Sequence, residues 1–80
     1  MKPSFGRKAL KALSRYGERE RARLVEAIGN LPDRGDIRRL EGQILKNTYR
    51  LRVGRYRVVF VREGDEIKIL KIDTRGDVYK

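Results

Sequence analysis

The sequence predicts an α+β domain in which an N-terminal helical hairpin packs on one face of a small, mainly antiparallel sheet. Apolar residues recur at three- and four-residue steps as far as Leu31, then alternate at every second position from about Lys46. The pattern changes once, between about 32 and 45. Helices followed by a run of strands form two layers, so one sheet face is covered and the other is left open.

The first helix is expected from Gly6 or Arg7 to Tyr16, where Phe5, Ala9, Leu10, Leu13 and Tyr16 make an apolar stripe that closes near Gly17. A second follows at once from about Glu18 to Asn30. Ala22, Val25 and Gly29 sit there beside Leu24, Ile28 and Leu31, with Pro32 as the stop. So short a joint makes the two helices an antiparallel hairpin. Residues 33–45 read as a loop around Gly35 and Gly42, anchored on the core by Ile37, Leu40 and Ile44.

From Lys46, Tyr49, Leu51 and Val53 point one way while Arg50 and Arg52 point the other. A one-residue slip would put arginines in the core, so this register is well determined. Gly54 and Arg55 turn the chain into a strand from Tyr56 to Arg62, and Gly64 with Asp65 turn it into another from Ile67 to Ile72. The result is a three-stranded meander whose open face holds Arg50, Arg52 and Arg57, with Asp73 to Lys80 continuing past the last strand.

Eighty residues bound the chain to one domain, 1–80, with a thin core. With 39% apolar and 40% charged residues in clear periods, it is expected to fold. The absence of cysteine excludes disulfides and thiolate metal ligands. No apolar run approaches a signal-peptide core or a membrane span, so a cytoplasmic location is expected.

A net charge of +10 draws the protein towards phosphate backbones, anionic membranes or acidic proteins. Its distribution is more informative, because residues 1–17 and 42–62 contain no acid. In the second stretch Lys46, Arg50, Arg52, Arg55, Arg57 and Arg62 interleave with Tyr49, Tyr56 and Phe60, a mixture that suits single-stranded RNA. A solvated strand face fits the composition equally. The three aromatics alternate with Leu51 and Val58 and are expected to pack in the core. Arg7, Lys8, Lys11 and Arg15 read as a solvated helix face, and the Glu and Arg mixture of 18–26 as surface ion pairing.

Several strings in order carry a resemblance: Phe5 with Lys8-Ala9-Leu10; Leu40-Glu41-Gly42; the run from Tyr49 through Arg50, Leu51, Arg52, Val53, Gly54, Arg55, Tyr56 and Arg57 to Phe60; and Arg75-Gly76-Asp77-Val78-Tyr79. Over nearly its whole length the chain resembles the RelE/ParE toxin superfamily. The resemblance implies a RelE-like fold and a toxin of a toxin–antitoxin module. Members similar in the sheet region cut mRNA in the ribosomal A site with basic residues and a C-terminal tyrosine, and a co-expressed antitoxin holds them silent. Arg50 and Arg52 match the family's basic pair on the first sheet strand after the helices, an RNA-binding role. Arg57 matches the arginine of the Tyr-Arg motif, Arg75 the arginine before the terminal tyrosine, and Tyr79 that tyrosine, all three catalytic. The expected partners are mRNA on the ribosome and an acidic antitoxin that folds as it wraps this surface. No metal, small-molecule cofactor or membrane partner is expected.

The chain contains no histidine, so imidazole proton transfer is excluded. Attack of a 2′-hydroxyl on the adjacent phosphate then rests on fixed positive charge, with Arg57 on the phosphate, Arg75 beside the leaving oxygen and the Tyr79 phenol orienting or accepting the hydroxyl proton. Some members have lysine where this chain has Arg50 and Arg52. Arginine stays charged, which favours a purely electrostatic role for these two. Asp73, Thr74 and Gly76 stand where relatives often have a glycine and further basic residues, which thins the positive cluster. Lys2, Pro3, Ser4 and Phe5 leave room for only a short N-terminal edge strand. Two alternatives stay open: a ParE-like inhibitor of DNA gyrase without nuclease activity, and a weakly active or decayed RNA-binding RelE homologue.

Overall fold

In the computed structural model, which describes residues 3–31, 33–40 and 47–74, the chain runs β1 (Pro3–Phe5), α1 (Arg7–Arg15), α2 (Glu18–Gly29), β2 (Asp36–Arg39), β3 (Thr48–Val53), β4 (Tyr56–Glu63) and β5 (Glu66–Thr74). Both helices fall within a residue of the expected bounds. The Lys8 to Leu13 segment consists of strong helix formers, and α1 ends where Tyr16 turns extended at φ −87° and ψ 155°. Gly17 is extended too, so only these two residues separate the helices. Glu18 and Glu20 place negative charge in the first turn of α2, where the helix dipole favours it.

The core joins Ala9, Leu13, Leu24, Ile28 and Leu31 to Leu51, Val53, Tyr56, Val58, Phe60, Ile67, Ile69 and Ile72. Both helices therefore bury a stripe on the same sheet face. That stripe is narrower than the sequence suggested, because Leu10 is 55% and Val25 47% exposed. A nine-residue helix brings only Ala9 and Leu13 fully inward. Tyr16 fixes the end of α1, packing its ring tilted against Tyr56 at 4.8 Å between ring centroids and donating a 3.4 Å hydrogen bond to the Ile72 carbonyl.

The described strands form one sheet in the order β1-β5-β4-β3-β2. The β3-β4-β5 meander is as expected, and both two-residue turns hold a glycine at φ +58°, Gly54 and Gly64. The short edge strand at the N-terminus is present as β1, paired parallel to β5 from Pro3 against Ile67 to Phe5 against Ile69. Reading residues 33–45 as a loop was wrong for Asp36–Arg39, which pairs antiparallel with Arg52 to Tyr49 of β3. Four residues, three of them charged, show no period of their own. This segment is a strand because β3 offers it a free edge, and its charges suit an edge position. The anchor Ile37 is half-buried against the core, while Gly42 and Ile44 lie outside the described residues.

One irregularity in β5 sets up the open face. Ile67, Ile69 and Ile72 are all buried, which strict alternation forbids. The pairing shifts between Val59 and Phe60, whose partners are Lys71 and Ile69, so Leu70 is an extra residue in a β-bulge. Past the bulge, Lys71 and Asp73 point to the open face, beside Val59 and Arg57.

Candidate nucleic-acid interface

The register assembles the open face row by row, because residues directly opposite on neighbouring strands stand about 5 Å apart. One row crosses four strands as Asp36, Arg52, Arg57 and Asp73. The next, two residues along each strand, is Arg38, Arg50, Val59 and Lys71. The three arginines expected on this face are thus together, with Arg52 and Arg57 opposite one another and Arg50 beside them. The aromatics are on the other side, where Tyr56 and Phe60 are buried and Tyr49 stacks on Phe60 at 5.6 Å.

The face is not free of acid, as the run 42–62 suggested. The two carboxylates that flank the arginines, Asp36 and Asp73, come from strands outside that run. The Arg57 guanidinium donates from Nε to Asp73 Oδ1 at 3.2 Å and from Nη2 to Asp73 Oδ2 at 3.1 Å, a forked pair in which both side chains are about one-third exposed. Lys71 Nζ lies 3.7 Å from Asp73 Oδ2. At the other end, Arg52 Nε is 3.9 Å from Asp36 Oδ2. Two arginines directly opposite in a sheet repel. An aspartate at each end of the row offsets that repulsion.

Beside these rows lies a shallow cavity of about 360 Å³ lined by Lys8, Leu40, Thr48, Arg57, Val59, Leu70 and Lys71. Its floor is aliphatic and its rim carries three cations. Lys8, which the sequence placed on a solvated helix face, belongs to this rim. Sequence reasoning also missed Arg38, Lys71 and Asp36, and it read Asp73 as thinning the positive cluster but not as the partner of Arg57. Arg38 lies in the segment taken for a loop, and the bulge hides the phase of Lys71 and Asp73. Arg75 and Tyr79 lie outside the described residues, which end at Thr74 opposite Tyr56, next to Asp73. No three carboxylates, histidines or cysteines converge on a metal position among the described residues, and no helix there is long and apolar enough to cross a membrane.

This architecture, two helices on a five-stranded mixed sheet with a basic open face, is that of the RelE-type toxins. A sequence model of the ParE toxin of type II toxin–antitoxin systems (parDE) matches residues 4–79. The chain belongs to the RelE/ParE toxin superfamily. Its structure is similar to the RelB–RelE antitoxin–toxin complex of Methanococcus jannaschii, at 27% identity and a TM-score of 0.78 over 95% of this chain and 94% of that one. It is similar also to the archaeal RelE–RelB complex of Pyrococcus horikoshii OT3, at 28% identity and a TM-score of 0.76 over 94% of both chains. The toxin–antitoxin complex RelBE2 of Mycobacterium tuberculosis matches at 28% identity and a TM-score of 0.76, over 91% of this chain and 95% of that one. No curated protein sequence is similar enough to count as a match. The chain is a toxin of a type II toxin–antitoxin module.

Proposed function

We propose that this toxin cleaves mRNA in the ribosomal A site, in the cytoplasm, and that an acidic antitoxin holds it silent. The observation that carries this reading is the central position of Arg57 on the open face, opposite Arg52 and diagonal to Arg50. Fixed cations aimed at a phosphate that gains charge in the transition state are among the largest catalytic contributions. Arg50 and Arg52 hold the phosphates that flank the reacting one. Arg57 takes the non-bridging oxygens of the phosphate attacked by the neighbouring 2′-oxygen. The products are a 2′,3′-cyclic phosphate and a free 5′-hydroxyl. Tyr79 orients or accepts the 2′-hydroxyl proton, and Arg75 stabilises the departing 5′-oxygen until it regains a proton from solvent. The substrate phosphate has to compete with Asp73 for the Arg57 fork, which makes cleavage slow unless the ribosome positions the RNA. An antitoxin partner is supported by the three similar complexes, in each of which a RelE-type toxin is bound to its antitoxin.

Mapping mRNA 5′ ends after induction in growing cells tests this reading. Codon-phased cuts are expected with the native chain and none with Arg57→Ala or Tyr79→Ala. Growth arrest without phased cuts, or unchanged toxicity of the two variants, excludes it.

The matching family model is that of ParE, which favours a second reading: inhibition of DNA gyrase by binding, with no nuclease step. Under it, the purified protein blocks gyrase supercoiling, and Arg57→Ala leaves that block intact.

A further inference from the structure

A second cavity, of about 280 Å³, opens on the helix-covered side of the sheet, where the end of α2, the segment leading into β2 and the β3–β4 turn meet. Arg23, Asn30 and Arg34 give it polar walls, over a floor that includes Gly35, Leu51 and Gly54. Among the described residues, no carboxylate lines it. Arg23 has Glu20 and Glu26 three residues to either side, within reach along a helix. Neither takes it. Glu20 turns to Arg55 at 3.5 Å, and the side chains of Arg23 and Arg34 make no ion pair or hydrogen bond with a described residue.

The Arg23 guanidinium lies instead against the β3–β4 turn. A Cβ on Gly54 would stand 3.1 to 3.3 Å from its Nη2, Nη1 and Cζ atoms, so a glycine at this turn leaves the guanidinium its seat. At the end of α2 the carbonyls of Ala27, Ile28 and Asn30 are engaged by the N–H groups of Asn30, Leu31, Asp33 and Arg34, which lessens their repulsion of an anion.

We infer that this cavity binds the phosphate of a small phosphomonoester, held between Arg23 and Arg34 with the Asn30 amide as a further donor. Two guanidiniums with no carboxylate beside them call for a dianion. A phosphomonoester carries about −1.5 to −2 near neutral pH, whereas each phosphodiester of a nucleic-acid chain carries a single charge. The planar fork of arginine also suits a pair of phosphate oxygens. Bound there, the ligand ties α2 to the segment before β2 and to the β3–β4 turn, and so stabilises the edge strand that brings Asp36 beside Arg52. The site lies across the sheet from the open face and goes beyond either reading of that face.

The probes are inorganic phosphate, adenosine 5′-monophosphate and a ten-nucleotide RNA without terminal phosphates, titrated at constant ionic strength and followed by the backbone amide resonances of Gly35 and Gly54. Inorganic phosphate and the monophosphate are expected to shift both resonances saturably, and the monophosphate to bind more weakly at about pH 5 than at about pH 7.5, as its dianion is lost. Arg23→Gln and Arg34→Gln, both at exposed positions, should keep the fold and each weaken this affinity about tenfold, the value of one charge-assisted hydrogen bond. Arg7→Gln, on the exposed face of α1, should leave it unchanged. Shifts that do not saturate, or affinities unchanged in both cavity variants, overturn the site. Binding of inorganic phosphate without the monophosphate, or of the RNA as tightly as the monophosphate, overturns the phosphomonoester as its ligand.

Discussion

Arg57 and Asp73 are direct cross-strand partners joined by a two-point hydrogen-bonded ion pair, so the central cation of the open face already holds an anion. The carboxylate occupies the fork that would accept a phosphate, with the same planar, bidentate geometry. Asp73→Asn removes that competitor and is expected to tighten binding of a fluorescently labelled ten-nucleotide RNA and to steepen the slope of log affinity against log salt by about 0.7. Because both side chains are about one-third exposed, the loss of stability should be small, about 0.5–1 kcal/mol in urea unfolding. Weaker or unchanged binding by the variant would show that Asp73 supports the site instead of competing in it.

Asp73 reaches that position through the bulge at Leu70. Without Leu70, the remaining residues Ile67, Lys68, Ile69, Lys71, Ile72 and Asp73 alternate without a break, and every pairing with β4 on either side can be kept. Deletion of Leu70 is therefore expected to leave a cooperatively folded protein with Lys71 and Asp73 still on the open face. Loss of cooperative thermal unfolding on that deletion would mean that the bulge itself, with its local twist, is required.

The β2 strand depends on the turn before it. Gly35 has φ +120°, and a Cβ there would stand 2.5 Å from Leu51 Cδ1 in the core. Gly35→Ala combines backbone strain with a clash and should cost about 2–3 kcal/mol. Gly64→Ala, at φ +58° with nothing within 4 Å of the new Cβ, should cost only about 1 kcal/mol. Chemical denaturation of the two variants checks the order, and equal losses would remove the steric part of the explanation.

Truncation at two leucine-sized positions tests where the core ends. Ile69→Ala, at a site with no exposure, should cost about 2–5 kcal/mol. Leu10→Ala, at a position 55% exposed, should change stability by less than about 0.5 kcal/mol. A large loss at Leu10 would show that this apparently open helix face is packed in solution.

The residues differ in how much of their position could be read from the chain alone. Leu51, Val53, Tyr56, Val58 and Phe60 alternate so regularly that their face, and by exclusion that of Arg50, Arg52 and Arg57, followed from period two. Leu10 and Val25 also fit a helical stripe, yet they are exposed. A period says which residues share a side, not how wide a strip the sheet covers. Asp36–Arg39 is a strand only through its pairing with β3, and pairing partners as far off as Arg52 is from Asp36 leave no local mark. The ion pairs that Asp36 and Asp73 make with the arginines were hidden for the same reason. Asp36 and Asp73 are distant from the basic run in sequence and are brought beside it by register, in the second case only after a one-residue bulge shifts the phase.

The most direct test is single-turnover cleavage of mRNA positioned in the A site of purified ribosomes, comparing the native chain with Arg57→Ala. If Arg57 stabilises the charge of the reacting phosphate, the native chain cuts within the A-site codon and the variant is slower by about 10²–10³, while both bind the ribosome. Cutting by Arg57→Ala at the native rate, or no cutting by the native chain on ribosomes it demonstrably binds, would contradict it.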